Sequence, residues 1–126
     1  MTFSAAERRF LADGPPLARL ATVDPEGKPH NVPVGYRYNE AAGTIDVYGR
    51  DLADTQKFRN VRHNPAVCLV VDDVLPPWHP RCVMIRGSAQ ALDDGVDGNH
   101  AAVIRITPTD VVSWGLAVES HDPGGA

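Results

Sequence analysis

V-Y-G-R-D-L-A-D-T-Q-K-F-R-N-V-R-H-N-P, residues Val47 to Pro65, joins the end of a β-rich run to a short helix. The run stops at Gly49 and a polar connection follows. Asp54 or Thr55 is placed to cap a helix whose apolar Phe58 and Val61 share one face. Asn64-Pro65 ends it. Arg50, Lys57, Arg59 and Arg62 are opposed within the stretch only by Asp51 and Asp54, a local balance of +2 (4 − 2) in a chain of formal net charge −4. A helix start offers unpaired backbone N–H groups, and a lysine in the first turn adds an ammonium. Dipole and charge therefore both favour a phosphate there. A solvated basic face has the same composition, so both readings stand on pattern alone.

Outward from this stretch, 126 residues with 43% hydrophobic content predict one domain with a real core, spanning 3–118, and a polar, glycine-rich tail over 119–126 expected to be disordered. No run is long enough for a membrane span, the N-terminus lacks a secretory layout, and a cytoplasmic protein is expected. A pI near 5.6 argues against nucleic acid and suits one small anion better. Cys68 and Cys82 are too far apart for a C-x-x-C pair, and His30, His63, His79, His100 and His121 are scattered, so no metal is expected.

Ser4-Ala5-Ala6-Glu7 reads as a capping box opening a helix that carries Phe10 and Leu11 inward, ended by Gly14-Pro15-Pro16. Leu17 to Val23, the turn Asp24-Pro25-Glu26-Gly27 and the run Pro29 to Tyr38 form a hairpin, with Val32, Val34, Tyr36 and Tyr38 on one face. Pro33 cannot donate to a ladder, which predicts an edge or a bulge with backbone groups open to a ligand or to solvent. Thr44 to Gly49 is a third strand. Ala66 to Val71 is apolar almost throughout and reads as a central strand. Trp78, in a proline-rich loop over Val74 to Arg81, is expected to pack that loop onto the sheet or else to cover a planar ligand. Val83 to Leu92 is a strand with a bulge or bend at Gly87, and Asp93 to Asn99 reads as a solvated loop without calcium-loop order. Val103 to Ile106 and Val111 to Trp114 are two short strands around Pro108. The fold class is mainly β: a closed or half-closed antiparallel barrel with two or so short helices.

The run T-Q-K-F-R-N-V-R-H-N-P resembles the helix of the pyridoxamine 5'-phosphate oxidase-like flavin-binding split barrels. The opening L-A-R-L-A-T-V-D-P-E-G-K-P-H-N-V-P-V, the V-V-D-D after the helix and the I-R-G-S-A of the next strand fit the same pattern in order and spacing. The closing I-R-I-T-P-T-D-V-V-S-W-G resembles the subgroup of deazaflavin (coenzyme F420)-dependent oxidoreductases.

That resemblance implies a Greek-key split β-barrel and a homodimer with cofactor sites at the subunit interface. It places Thr55, Gln56 and Lys57 on the cofactor phosphate, and Asn60 facing the cofactor chain or ring. Tyr48, Gly49 and Arg50 come beside the ribityl chain, and the backbone of Val32, Pro33 and Val34 lies against the tricyclic ring. Trp114 falls near the ring of the partner subunit, or in a core or interface. True pyridoxamine phosphate oxidases carry R-x-V-L-L-K in the second strand, where this chain reads N-V-P-V-G-Y, and an arginine-rich C-terminal segment. Oxidation of pyridoxamine phosphate is therefore disfavoured. The resemblance implies an oxidoreductase that uses F420, with FMN as the alternative, to reduce a small conjugated or quinone-like substrate. F420 is preferred for the closing motif and because its acidic tail suits Arg50, Arg59 and Arg62. A non-catalytic F420 or FMN carrier is the competing reading, and a haem-binding barrel using His63 or His79 the third. No general acid is assigned, His30 included.

Overall fold

A computed structural model describes residues 3–94 and 101–117. Six antiparallel strands, β1 (Leu17–Val23), β2 (Pro29–Asn39), β3 (Thr44–Tyr48), β4 (Ala66–Leu75), β5 (His79–Leu92) and β6 (Val103–Trp114), close into a barrel in the order β1-β2-β3-β6-β5-β4. Helix α1 (Ala5–Asp13) precedes the first strand and α2 (Gln56–His63) links β3 to β4. Because β4 returns to lie beside β1, the neighbours 4-1-2-3 make a Greek key, and α2 is its crossover. The tail from residue 119 and most of the acidic loop after Asp94 lie outside the described residues.

Local chemistry explains the element ends. The Ser4 Oγ accepts from the Glu7 N–H at 3.1 Å while the Ser4 N–H donates to the Glu7 carboxylate at 2.8 Å, a complete capping box. In the β1–β2 turn the Gly27 N–H donates to the Asp24 carbonyl at 2.9 Å. Inward residues of every strand, among them Leu20, Val34, Ile45, Leu69, Ile85 and Ile106, fill the barrel, and Phe58 and Val61 of α2 join the same core.

Three expectations are corrected. First, β6 is one unbroken strand through Pro108. Register between β5 and β6 shifts at Arg86/Gly87: Gly87 faces Pro108, Arg86 faces Asp110, and Thr109 is left over, its hydroxyl donating to the Arg86 carbonyl at 3.2 Å. A bulge absorbs the proline and turns the rest of the strand over, so Ile104 and Ile106 point in while Val112 and Trp114 point out. Second, β4 is a stave of a closed barrel and not a central strand. Val67, Leu69 and Val71 are buried, whereas Cys68 and Val70 between them are half-exposed. Third, Trp78 sits at the tip of the β4–β5 hairpin, 72% exposed, and does not pack onto the barrel.

Gly87 is required at this seam. A Cβ there would lie 2.5 Å from the Thr107 carbonyl oxygen and 2.9 Å from Ile106 Cγ2. Gly87→Ala is expected to cost about 1–3 kcal/mol by overpacking, read as a lower denaturant midpoint. An unchanged midpoint would show that the seam is loose.

Candidate functional site

The site is built where β3 runs out. Tyr48 ends the strand with its ring 44% exposed, Gly49 and Arg50 are exposed, and a single 3-10 turn over Leu52–Asp54 leads into α2. Thr55 is the helix cap: its Oγ1 accepts from the Phe58 N–H at 3.4 Å, and its hydroxyl donates to the Leu52 carbonyl at 2.6 Å. The N–H groups of Gln56 and Lys57 open the first turn, where helix geometry supplies no intrahelical acceptor.

The charges around this start differ from those elsewhere. Arg8, Arg19, Lys28, Arg62, Arg81, Arg86 and Arg105 are each matched to a carboxylate. Among the described residues Arg50, Lys57 and Arg59 make no ion pair, and all three lie in the ten residues around the start of α2. Arg59 is oriented by its neighbours, donating to the Asp54 carbonyl at 2.8 Å and to Gln56 Oε1 at 3.0 Å. Lys57 is half-buried and the other two are exposed. These three cations stand among the exposed carboxylates of Asp51 and Asp54, an excess of one (3 − 2), in the segment that leads to the positive end of a helix, where an anion is favoured.

Strand β2 supplies the second part. Its first half, Pro29 to Val34, pairs with β1, while β3 covers only Gly35 to Asn39. So β2 is not an edge strand, but over Pro33 it has a strand on one side only. Val34 points into the barrel, Val32 is half-buried and Pro33 is exposed. Alternate backbone groups there have no strand opposite them.

Two expected contacts are placed differently. Asn60 does not face outward: it is fully buried, its Nδ2 donating to Thr22 Oγ1 at 3.0 Å and its Oδ1 accepting from Gln56 Nε2 at 2.6 Å. It ties α2 to β1 and holds Gln56 against the helix. Arg62 lies 4.8 Å over the Phe58 ring and donates to Asp93 at 2.6 Å, so it does not join those three cations. Trp114 is 50% exposed on the outer face, which rules out a core role. It stands eight residues beyond Ile106, the last β6 residue paired to β3, or roughly 26 Å along the strand. Within one chain it is therefore far from α2.

His63 and His79 are both exposed, at the last turn of α2 and at the hairpin tip. His30 is half-buried, and its Nε2 lies 3.1 Å from Asp24 Oδ2. That contact, with backbone N–H donors from Lys28 and Glu26, pulls the Asp24 carboxyl below its ordinary value. Burial raises the Cys68 thiol and pushes Cys82 up to about 11, which disfavours the thiolate at both. Among the described residues no three His, Cys, Asp or Glu side chains gather as a metal site would require, and no helix is long and apolar enough to cross a membrane.

The barrel order, its α2 crossover and the basic helix start agree with the match of residues 3–115 to the family model described as pyridoxamine 5'-phosphate oxidase. The chain belongs to the pyridoxamine 5'-phosphate oxidase family. A 5a,11a-dehydrotetracycline/5a,11a-dehydrooxytetracycline reductase of Streptomyces rimosus is 46% identical over 123 residues, covering 92% of this chain and 85% of that one. Family and relative together place the chain among the oxidoreductases. Among solved structures, a conserved hypothetical protein of Mycobacterium tuberculosis superposes with a TM-score of 0.72 at 21% identity, over 92% of this chain and 87% of the other. A FAD-binding protein of Mesorhizobium loti gives 0.69 at 23%, over 90% and 93%. An F420 reductase gives 0.63 at 21%, over 82% and 94%. At these identities the likeness is one of fold.

One groove went unread in the sequence. It lies between the C-terminal end of α1 with the Gly14–Pro16 linker and the β2–β3 pair, has a volume of about 380 Å³, and includes Tyr36, Arg37, Tyr38 and Tyr48 in its wall. No local pattern could have shown it, because it joins two segments twenty or more residues apart.

Proposed function

We propose that the protein is a reductase that binds coenzyme F420, with FMN as the alternative, and delivers hydride to a C=C bond conjugated with a carbonyl in a flat, quinone-like or polycyclic substrate. The observation that carries this reading is the set of Arg50, Lys57 and Arg59, which make no ion pair among the described residues, around the start of α2, beside a strand left half-unpaired. When bound, the cofactor supplies the hydride chemistry. The chain's residues then bind and orient. The Gln56 and Lys57 N–H groups and the Lys57 ammonium take the phosphate, Thr55 fixes the helix start, and Arg50 and Arg59 suit the carboxylates of an acidic cofactor tail. The backbone of Val32, Pro33 and Val34 lines the ring, and Tyr48 and Gly49 flank the chain between ring and phosphate. Deazaflavin is preferred over FMN for this surplus of cations and for the closing I-R-I-T-P-T-D-V-V-S-W-G. The substrate class follows the S. rimosus relative, whose name describes reduction of a dehydrotetracycline.

The same reading includes a homodimer. Val70, Met84 and Val112 stand in one cross-strand row on the outer wall, next to Cys82 and Trp114 in the following row, bordered by the Arg19–Asp72 ion pair, and an apolar strip with a polar rim of this kind suits a second copy. Trp114 would then reach the partner's cofactor rather than its own.

Apo-protein titrated in parallel with F420 and FMN is expected to bind F420 more tightly, and reduced F420 is expected to be oxidised only when a conjugated enone is added. Tighter FMN binding would exchange the cofactor. Binding without turnover would make the protein a carrier, and no binding of either would overturn the reading.

A further inference from the structure

We infer that the groove between α1 and the β2–β3 pair is the substrate site, and that it takes a planar, oxygen-rich polycycle bearing one anionic oxygen; the inference rests on the reductase reading above. Its volume of about 380 Å³ falls within the range of small-molecule sites. Tyr36, Tyr38 and Tyr48 with Pro15 and Pro16 give it flat, weakly polar walls, the kind that stack on a fused ring system. Among the described residues Arg37 lines the groove and no acidic residue does, so its guanidinium presents N–H donors suited to the oxygen of an enolate, phenolate or carboxylate.

The walls are built before any ligand arrives. The Tyr36 hydroxyl donates to the Pro15 carbonyl at 2.8 Å and ties the α1–β1 linker to β2. Burial pushes that hydroxyl up to about 12, so it remains a donor at ordinary pH. Gly35 faces Tyr48 across the β2–β3 ladder, and a Cβ on it would lie 3.0 Å from the Tyr48 ring. Glycine there lets the ring lie down over the β2 backbone. The Arg37 guanidinium stands 5.8 Å from the centre of the same ring. Platform and cation are thus fixed side by side. Tyr48 also leads directly into Gly49 and Arg50, so the groove and the cofactor segment share a wall. Along β2 the groove residues Tyr36 to Tyr38 lie just beyond Val32, Pro33 and Val34, the stretch assigned to the ring, so a substrate extending along the strand from the groove would reach the hydride source. The rival occupant is the acidic tail of the cofactor.

The test uses anthraquinone-2-sulfonate, a flat quinone with a permanent negative charge, and neutral 2-(hydroxymethyl)anthraquinone, titrated into apo-protein by calorimetry. Both are expected to bind. Ala12→Trp, which fills the groove from an exposed helix position, should weaken both by more than about tenfold. Arg37→Gln should weaken the sulfonate about tenfold and leave the neutral probe unchanged. Saturating FMN or F420 should leave the sulfonate bound. The inference is overturned if neither substitution changes probe affinity, or if F420 displaces the sulfonate while FMN, which has no acidic tail, does not. F420 and FMN affinity measured on the same proteins read the cofactor assignment separately: no binding of either by wild type would sink the reductase reading without touching the probe result.

Discussion

Phe58→Ala is expected to lower folding stability by about 3–5 kcal/mol. Phe58 is wholly buried, the bulkiest of the fully buried side chains, and with Val61 it seats α2 in the barrel core beside β1 and β5. Removing its ring leaves a cavity that backbone tied into a closed ladder cannot collapse to fill. The Arg62 guanidinium above the ring also loses its platform. Denaturant unfolding should show a lower midpoint with an unchanged slope. Cofactor affinity should fall as well, because α2 carries Thr55, Gln56 and Lys57. A midpoint close to wild type would mean that α2 is not seated as described.

Lys57→Ala is expected to act in the opposite way, leaving folding nearly untouched and weakening the cofactor by about 1.5–3 kcal/mol, the loss of one charge-assisted contact to phosphate. That corresponds to roughly 10- to 150-fold in Kd. Lys57 has no carboxylate partner among the described residues, so its removal orphans no buried group. A surface change of this sort stays within about 0.5 kcal/mol in stability. Arg50 and Arg59, in the same segment and without an ion pair among the described residues, would keep part of the attraction and prevent complete loss.

Features fixed by residues close in sequence were legible from the chain alone. Ser4 with Glu7, Thr55 with Phe58, the Asp24–Gly27 turn and the apolar alternation of β1 to β3 each depend on neighbours within a few positions. What was misread depends on partners far away. Asn60 meets Thr22, 38 residues distant, and Arg62 meets Asp93, 31 residues distant. On a helical wheel both look available to a ligand. Pro108 seemed to split a strand because nothing near it reveals that Gly87 lies opposite and that Thr109 bulges out. The apolar run of β4 looked central because a sequence does not distinguish a strand buried on both faces from one whose outer face is apolar and half-exposed. Trp78 was assigned to packing on residue type, yet hairpin geometry carries it clear of the barrel.

The central claim is that the start of α2 grips a phosphate through Lys57. It is tested most directly by calorimetric titration of wild type and Lys57→Ala with FMN and with riboflavin, which differ by the phosphate alone. The substitution is expected to cost about 1.5–3 kcal/mol of binding with FMN and nothing with riboflavin. An equal penalty with both ligands, or none with FMN, would contradict it.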